Sequence, residues 1–275
     1  MKILIIERDQ QTAEMIKNCA EHLGHTAEIH NEMIENLGST ASSQWDMVFL
    51  DPFPPTHLTS MMMQLKQNVR RNLHVVLVSN RMTHSQAIQS GFNDCIIKPL
   101  QDHDIIHVLE NAEYMSNYTK HLANTEIDFP SASGIISKSA YNQIFLSCLN
   151  RAGRYGETSY TIIFTVENYN EILAEYGEYD AQMIAGRMIQ YIMQIRRQSD
   201  IIAQIRPNQY ALLLLRPLNE IEPIEATRRF TNALPKCKDF PKLPNLTVDM
   251  SVTLLALPMG SRIIDEYISL RPEEF

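Results

Sequence analysis

Short apolar runs alternate with helical patterns through the first part of the chain. Between the first two runs, apolar side chains recur at helical spacing from Thr12 to Leu23, and Gly24 then suits a helix end. The apolar runs of strand length are residues 2–6, 46–50, 74–78 and 95–97. Continuous apolar strands separated by helices are typical of a parallel sheet covered on both faces. We therefore predict a doubly wound α/β domain over residues 1–123.

Polar side chains follow each of the four predicted strands. They are Glu7, Asp51, Ser79 and Lys98. Because the carboxyl ends of parallel strands meet at one edge of a sheet, these four groups form the first candidate site.

A long helix is predicted over residues 102–123. One stripe of this helix recurs at alternating spacings of three and four residues: Ile105, Val108, Ala112, Met115, Thr119 and Leu122. This pattern suits a short coiled coil that joins two chains into a homodimer, and it equally suits one amphipathic helix lying on its own domain. Residues 124–134, which carry Pro, Ser and Asp, suit a linker.

The pattern of a second domain covers residues 135–275. The predicted order is helix 138–155, strand 160–166, helix 171–197, strands 200–205 and 210–215, helix 225–234 and strand 247–257. Arg206, Pro207, Asn208 and Gln209 separate two apolar strands and predict a hairpin turn. This order predicts an α+β sheet with helices packed on one face.

Composition and charge narrow the class of protein. Hydrophobic residues make up 44% and charged residues 20%, which excludes global disorder, and the formal net charge of −8 argues against general binding to DNA. No apolar run approaches the ~18 residues of a membrane span, and a charge follows the first apolar run too early for a signal peptide. The widely spaced cysteines, without a CxxC or Cys/His cluster, predict reduced thiols, no zinc site and a cytoplasmic location.

Asp51 after the second run, Ser79 after the third and the pair Lys98-Pro99 after the fourth stand in a recognisable register. In this respect the first domain resembles a two-component receiver. The resemblance implies that Asp51 accepts a phosphoryl group, with Glu7 in an acidic pair that binds Mg²⁺, and that Ser79 and Lys98 contact the phosphate.

Two departures from the receiver pattern weaken that implication. Arg8 occupies the position of the principal Mg²⁺ carboxylate, and its positive charge opposes the ion, so we expect Mg²⁺ to bind poorly. Asp9 could substitute only if the turn shifts by one residue, and Cys95 replaces the aromatic switch residue. We predict a pseudo-receiver that serves as an interaction domain, in which Asp51 pairs with Lys98 or Arg8. The alternative is phosphate-dependent switching.

Residues 197–213 carry Arg197, Asp200 and a hairpin of the form Arg206-Pro207-Asn208-Gln209-Tyr210. This segment is similar to the RxxD, spacer, GGDEF motif and apolar strand of GGDEF (diguanylate cyclase) domains. The resemblance extends from about Gly134 to Pro258, with residues 165–169 at the family's DxDxF. It also implies a closing helix, which is shortened here to residues 262–275. Active members join two GTP molecules into cyclic di-GMP with two Mg²⁺ ions.

The hairpin lacks what that chemistry needs. Both glycines are absent, Pro207 removes an N–H, and the two acids are replaced by the amides Asn208 and Gln209. The first strand acid is Thr165, which leaves Glu167 as the acidic residue. Leu173 and Ala174 replace the family's guanine-reading Asn and Asp. We therefore predict no catalytic residues, no metal site, no required cofactor and no cyclase activity.

Arg197 and Asp200 match the family's inhibitory site, which binds cyclic di-GMP away from the catalytic centre. A guanidinium can bond to a phosphate oxygen and a guanine, and a carboxylate can accept from guanine N–H groups. We predict that these two residues bind cyclic di-GMP, assisted by Arg196 or Arg206. The alternative is that Arg197 and Asp200 form a structural ion pair.

Two functional hypotheses follow from these patterns. In the first, an inactive GGDEF domain acts as a cyclic di-GMP receptor that passes its ligand state to an unidentified signalling protein. In the second, both domains are an interaction scaffold that binds no nucleotide. A phosphorylation-controlled cyclase would be a third function, and the hairpin substitutions count against it.

Overall fold

A computed structural model describes residues 1–30, 45–52, 62, 73–237, 239–241, 243 and 245–271. The chain forms two compact units. The first contains Met1–His121 with the short segments Leu149–Glu157 and Pro258–Ser261, and the second contains Leu122–Cys148, Thr158–Leu257 and the residues from Arg262 onward. Each unit contains one five-stranded sheet within the described residues. The predicted domain boundaries at 123 and 134 stay a prediction.

Strands and helices alternate in the first unit. Its elements are β1 (Lys2–Ile6), α1 (Gln10–His22), β2 (Thr26–Ile29), β3 (Met47–Leu50), β4 (His74–Ser79), α2 (His84–Gln89), β5 (Asp94–Ile97) and α3 (Asp102–Ala123). Asp9 caps α1 by accepting a hydrogen bond from the backbone N–H of Thr12 at 3.2 Å. The strand β2 was not predicted from the sequence.

The first sheet is parallel, with the strand order β2-β1-β3-β4-β5. This is the order of flavodoxin-like doubly wound folds. Successive residues of β1 enter different cores: Ile3 and Ile5 belong to one buried cluster, and Leu4 and Ile6 belong to the other. The prediction of a doubly wound parallel sheet is therefore confirmed.

The predicted stripe of α3 is buried within the single chain. Ile105, Val108 and Ala112 belong to the core on one face of the first sheet, and Met115, Thr119 and Leu122 are also buried in the single chain. These are the six positions on which a coiled coil would depend. Their burial favours the single amphipathic helix over the two-chain coiled coil.

The second unit also mixes helices and strands. Its elements are α4 (Lys138–Tyr155), β6 (Ser159–Val166), α5 (Tyr169–Tyr176), α6 (Glu178–Ile195), β7 (Ile201–Arg206), β8 (Gln209–Leu215), α7 (Ile221–Ala233), β9 (Val248–Leu257) and β10 (Arg262–Leu270). The part of α4 from Leu149 onward is counted with the first unit. The sheet order is β10-β9-β6-β8-β7, and its strand pairs are antiparallel. The α+β class is confirmed.

Helices cover both faces of this sheet, so the prediction of a single covered face was wrong. Tyr141 of α4 hydrogen-bonds to Thr161 of β6 at 2.7 Å, whereas Phe230 of α7 packs edge-to-face on Phe164 of the same strand. Residues three positions apart on a strand point to opposite faces. The complete burial of β6 agrees with this arrangement.

Two other elements differ from the prediction. The helix expected over residues 171–197 is divided by Gly177, whose φ of 91° suits glycine and ends α5 before α6 begins. The expected closing helix is instead the strand β10, which returns antiparallel to β9 after Gly260.

The lengths of the helices and the state of the cysteines bear on two sequence predictions. Among the helices that the structure describes, none is long and apolar enough to span a bilayer. All four cysteines are free.

Candidate functional site

Three of the four predicted strand-end residues meet at the carboxyl edge of the first sheet. The ammonium of Lys98, after β5, donates to Glu7 Oε1 at 2.8 Å and to Asp51 Oδ2 at 3.0 Å. The Glu7 side chain is only 1% exposed, and that of Lys98 is 22% exposed. Burial disfavours the charged ammonium, but its hydrogen bonds to the two carboxylates outweigh this effect and raise the pKa of Lys98.

Two side chains beside this cluster bear on metal binding. The guanidinium of Arg8 lies 3.5 Å from Asp51 Oδ2, so Asp51 contacts two cations. The carboxylate of Asp9 caps α1, and the hydrogen bond from the Thr12 hydroxyl lowers the pKa of Asp9. The shift of the turn that would bring Asp9 into the site is not seen. This donor set, with cations already beside Glu7 and Asp51, does not fit Mg²⁺.

Two further residues matched to the receiver pattern are Ser79 and Cys95. Ser79 Oγ accepts from the backbone N–H of Arg81 at 3.1 Å and thereby shapes the loop after β4. Burial raises the pKa of the Cys95 thiol to about 11, so the residue that replaces the aromatic switch is a neutral thiol at neutral pH. The structure therefore joins Glu7, Asp51 and Lys98 and leaves Ser79 in a local turn.

The hairpin between β7 and β8 is fastened to the end of β6 by neutral hydrogen bonds. Gln209 Nε2 donates to the hydroxyl of Thr165 at 2.9 Å, and Asn208 Nδ2 donates to the carbonyl of Val166 at 2.9 Å. Thr165 and Gln209 hold the positions at which the family resemblance places two metal-binding acids. A direct hydrogen bond therefore joins the two positions, and neither side chain offers the carboxylate that Mg²⁺ prefers.

The remaining acidic residue near this hairpin is also engaged. Glu167 accepts a hydrogen bond from the Ser251 hydroxyl of β9. Leu173 and Ala174 lie exposed on α5. In the described part of the chain, no three His, Cys, Asp or Glu side chains converge as a metal site would require. The residues at this end of the sheet do not fit a pair of Mg²⁺ ions.

The predicted RxxD residues form a tight turn between α6 and β7. The buried carboxylate of Asp200 accepts from the backbone N–H of Arg197 at 3.0 Å, and the Asp200 N–H donates to the Arg197 carbonyl at 3.2 Å. Arg196 Nη1 donates to the carbonyls of Arg197 and Asp200 at 3.0 and 2.8 Å. Asp200 thus orders the backbone that carries Arg197.

The side chain of Arg197 makes a contact that the sequence did not indicate. Its guanidinium, 57% exposed, pairs with the carboxylate of Glu222 in the first turn of α7. Among the described contacts, Asp200 meets Arg197 through its backbone N–H, so the structure gives no support to the predicted alternative of an ion pair between the two side chains. An open cleft of about 320 Å³ lies beside this pair. Its lining residues are Arg197, Leu218, Asn219, Ile221, Glu222 and Glu225.

Arg206, the second predicted assisting arginine, lies at the other end of β7 from the RxxD turn, and its role in ligand binding stays a prediction. Asp200 precedes β7, whereas Arg206 ends it. Six residues of extended strand separate the two Cα atoms by about 20 Å at ~3.3 Å per residue. Of the predicted assisting arginines, the structure places only Arg196 at the turn.

Comparisons with known proteins give structural matches only. No family model matches the chain, and no curated protein matches it. A two-component response regulator from Clostridium difficile is similar at 20% identity over 41% of this chain and 95% of the other, with a TM-score of 0.36. A response regulator from Thermotoga maritima is similar at 16% identity over 40% and 95%, with a TM-score of 0.36.

A third structural match concerns the other type of domain. A GGDEF domain from Pseudomonas aeruginosa is similar at 13% identity over 44% of this chain and 70% of the other, with a TM-score of 0.37. The assignment of fold rests on the strand orders of the two sheets. At the level of fold, the chain is a receiver-like domain followed by a GGDEF-like domain, as its sequence predicted.

Proposed function

We propose that this protein is a response-regulator protein whose GGDEF-like domain has lost cyclase activity and binds cyclic di-GMP as a receptor. Arg197 and Asp200, with Arg196, are the proposed ligand site. The receiver-like domain is the proposed interaction domain, through which the ligand state reaches a signalling protein. Neither role requires a cofactor.

The hydrogen bond between Gln209 and Thr165 carries the proposal that catalysis is lost. Cyclisation needs metal ions to activate a hydroxyl and to neutralise triphosphate charge. A hydroxyl and an amide that satisfy each other at 2.9 Å supply no negative charge for such ions. Glu167 alone cannot hold two divalent ions against the charge of two triphosphates.

The geometry around Arg197 supports the proposed ligand. The guanidinium is more than half exposed and borders an open cleft, while its backbone is held by Asp200. An arginine presented in this way can donate two parallel hydrogen bonds to a phosphate. Because the whole chain carries a net charge of −8, the local pair Arg196 and Arg197 must supply the attraction, and affinity should fall as salt rises.

Calorimetry with cyclic di-GMP tests ligand binding directly. We expect Arg197→Ala to weaken binding by about 30-fold to 1,000-fold, because a charge-assisted bidentate contact is lost. Arg206→Ala removes the same charge at the other end of β7 and is the matched control, for which we expect little change. Asp200→Ala should also abolish binding, whereas Asn208→Ala should not. Equal effects of Arg197→Ala and Arg206→Ala would contradict the assignment of the site.

Turnover of GTP tests the loss of catalysis. Purified protein with GTP and Mg²⁺ should form no cyclic di-GMP above a control without enzyme. Protein from a host strain that lacks cyclases excludes contamination. Product formed in proportion to the amount of protein would overturn this part of the proposal.

The second candidate function is a scaffold that binds no nucleotide. The observation in its favour is the contact between Arg197 and Glu222, which already neutralises the exposed guanidinium. The absence of a saturable heat of binding at low salt would support the scaffold and overturn the receptor.

A further inference from the structure

The carboxylate of Glu222 makes two contacts that bear on Arg197. One oxygen pairs with the Arg197 guanidinium, and the other accepts from the backbone N–H of Leu218 at 2.7 Å. These contacts, led by the hydrogen bond from Leu218, lower the pKa of Glu222, which therefore stays ionised at neutral pH. A fixed negative charge thus occupies the anion-binding face of Arg197.

The segment before α7 depends on the same carboxylate. Asn219 Oδ1 accepts from the backbone N–H groups of Ile221 and Glu222 at 3.0 and 2.9 Å, which fixes the start of the helix. Leu218, whose side chain is 92% exposed, is held by Glu222 through its N–H. The conformation of Leu218 is therefore tied to the position of the Glu222 carboxylate.

We infer that Glu222 is an internal competitor for the anion site at Arg197, and that it couples occupancy of that site to the order of the segment 218–222. This inference rests on the proposed function. A phosphate oxygen and the Glu222 carboxylate are both anionic acceptors for the same guanidinium, and at close range they repel each other. A ligand phosphate that pairs with Arg197 therefore displaces Glu222, and the Leu218 N–H loses its partner.

The cost of displacing Glu222 is shared by every ligand whose phosphate pairs with Arg197. An anion with a single phosphate gains one contact with Arg197 and must replace one that already exists. A ligand with two phosphates and guanine bases gains further contacts that the displaced carboxylate cannot offset. The same displacement cost therefore leaves a small anion with little net affinity, whereas the larger ligand keeps most of its affinity.

The substitution Glu222→Gln tests this inference, with Glu225→Gln as the matched control. Both residues line the same cleft, so both substitutions remove one negative charge there. We expect Glu222→Gln to bind cyclic di-GMP about 2- to 10-fold more tightly than the unmutated protein, and Glu225→Gln to change affinity less. Amide exchange followed by NMR should show faster exchange at Leu218 in Glu222→Gln without ligand, and in the unmutated protein with ligand.

The outcomes separate this inference from the proposed function. If the unmutated protein and Glu222→Gln bind equally well, the inference is wrong and the receptor stands. If only Glu222→Gln binds, the competitor is supported and the receptor function of the natural chain fails. If neither binds, both are overturned. If Glu222→Gln and Glu225→Gln raise the affinity for cyclic di-GMP equally, the effect comes from the loss of any negative charge in the cleft. That outcome would overturn a specific competitor.

Discussion

Lys98→Met isolates the contribution of the buried ion pair at the edge of the first sheet. The substitution removes the ammonium that lies 2.8 Å from Glu7 and 3.0 Å from Asp51 and keeps most of the apolar stem. Asp51 retains Arg8 at 3.5 Å, but the carboxylate of Glu7, 1% exposed, loses its cation. We therefore expect the unfavourable burial of Glu7 to dominate the result.

The expected loss of unfolding free energy follows from the burial of Lys98 and Glu7. Removing one partner of a fully buried pair costs about 3–5 kcal/mol, and exposed pairs contribute about 0–1 kcal/mol. Because Lys98 is 22% exposed, water can partly replace its ammonium, and we expect a loss of about 2–4 kcal/mol. Lys120→Met is the matched control, since Lys120 pairs with Asp46 at 3.1 Å with 59% of its side chain exposed. The control should lose less than about 1 kcal/mol.

Urea unfolding followed by tryptophan fluorescence measures the difference in unfolding free energy between the two variants, and it does so for the first compact unit of the chain. Trp45 is the single tryptophan of the chain and lies in the core of the first unit, so its signal reports that unit. The double variant Glu7→Gln/Lys98→Met should recover part of the loss, because the buried charge of Glu7 is removed together with its cation. Equal losses for Lys98→Met and Lys120→Met would refute the reasoning.

The same ion pair predicts a dependence on alkaline pH. The folded pKa of Lys98 is raised above its ordinary value of 10.5, so its stabilising contribution is fully present below that pH. The contribution is lost as pH rises through the folded pKa. The difference in unfolding free energy between the unmutated protein and Lys98→Met should therefore be constant near neutrality and shrink above about pH 10.5.

Three other predictions concern single sites. Small phosphodonors should label Asp51 poorly, and beryllofluoride should not bind in a Mg²⁺-dependent way. The substitution Arg8→Asp should improve both. Ready labelling of the unmutated protein, measured by intact mass, would contradict the pseudo-receiver. Cys95, with a pKa of about 11, should carry about one thiolate in a thousand thiols at pH 8 and be alkylated slowly, as peptide mass mapping would measure. Thr165→Val and Gln209→Leu should show a coupling of about 1 kcal/mol in a double-mutant cycle followed by calorimetric unfolding, and additive effects would count against their hydrogen bond.

The strand-end cluster could be predicted from the sequence because continuous apolar strands dictate a parallel sheet. Once the sheet is parallel, Glu7, Asp51 and Lys98 must lie at one edge. Ser79 follows the same rule, but its hydroxyl bonds to the backbone of its own loop, and sequence spacing cannot distinguish these partners. The contact between Arg197 and Glu222 spans 25 residues and depends on how α7 packs, so no local pattern indicated it.

The element β10 shows why a short amphipathic segment is ambiguous. Its apolar residues include Ile263, Ile264, Tyr267 and Ile268, which fit one face of a helix as well as they fit a strand. Pairing with β9 decides between the two, because a free antiparallel neighbour satisfies the backbone over most of its length. Gly177 was likewise a weak signal, since glycine inside a helical pattern does not by itself end a helix.

The hydrogen bond between Gln209 and Thr165 has a thermodynamic consequence for the hairpin that it holds. A turn that is held by a bridging cation becomes more stable as the concentration of that cation rises. The fraction of ordered turn therefore depends on the concentration of divalent ions. Two neutral side chains bind or release no ion when they form their hydrogen bond. The stability of that bond therefore does not depend on the concentration of divalent ions. We therefore expect the position of this hairpin to be the same in magnesium-poor and magnesium-rich surroundings.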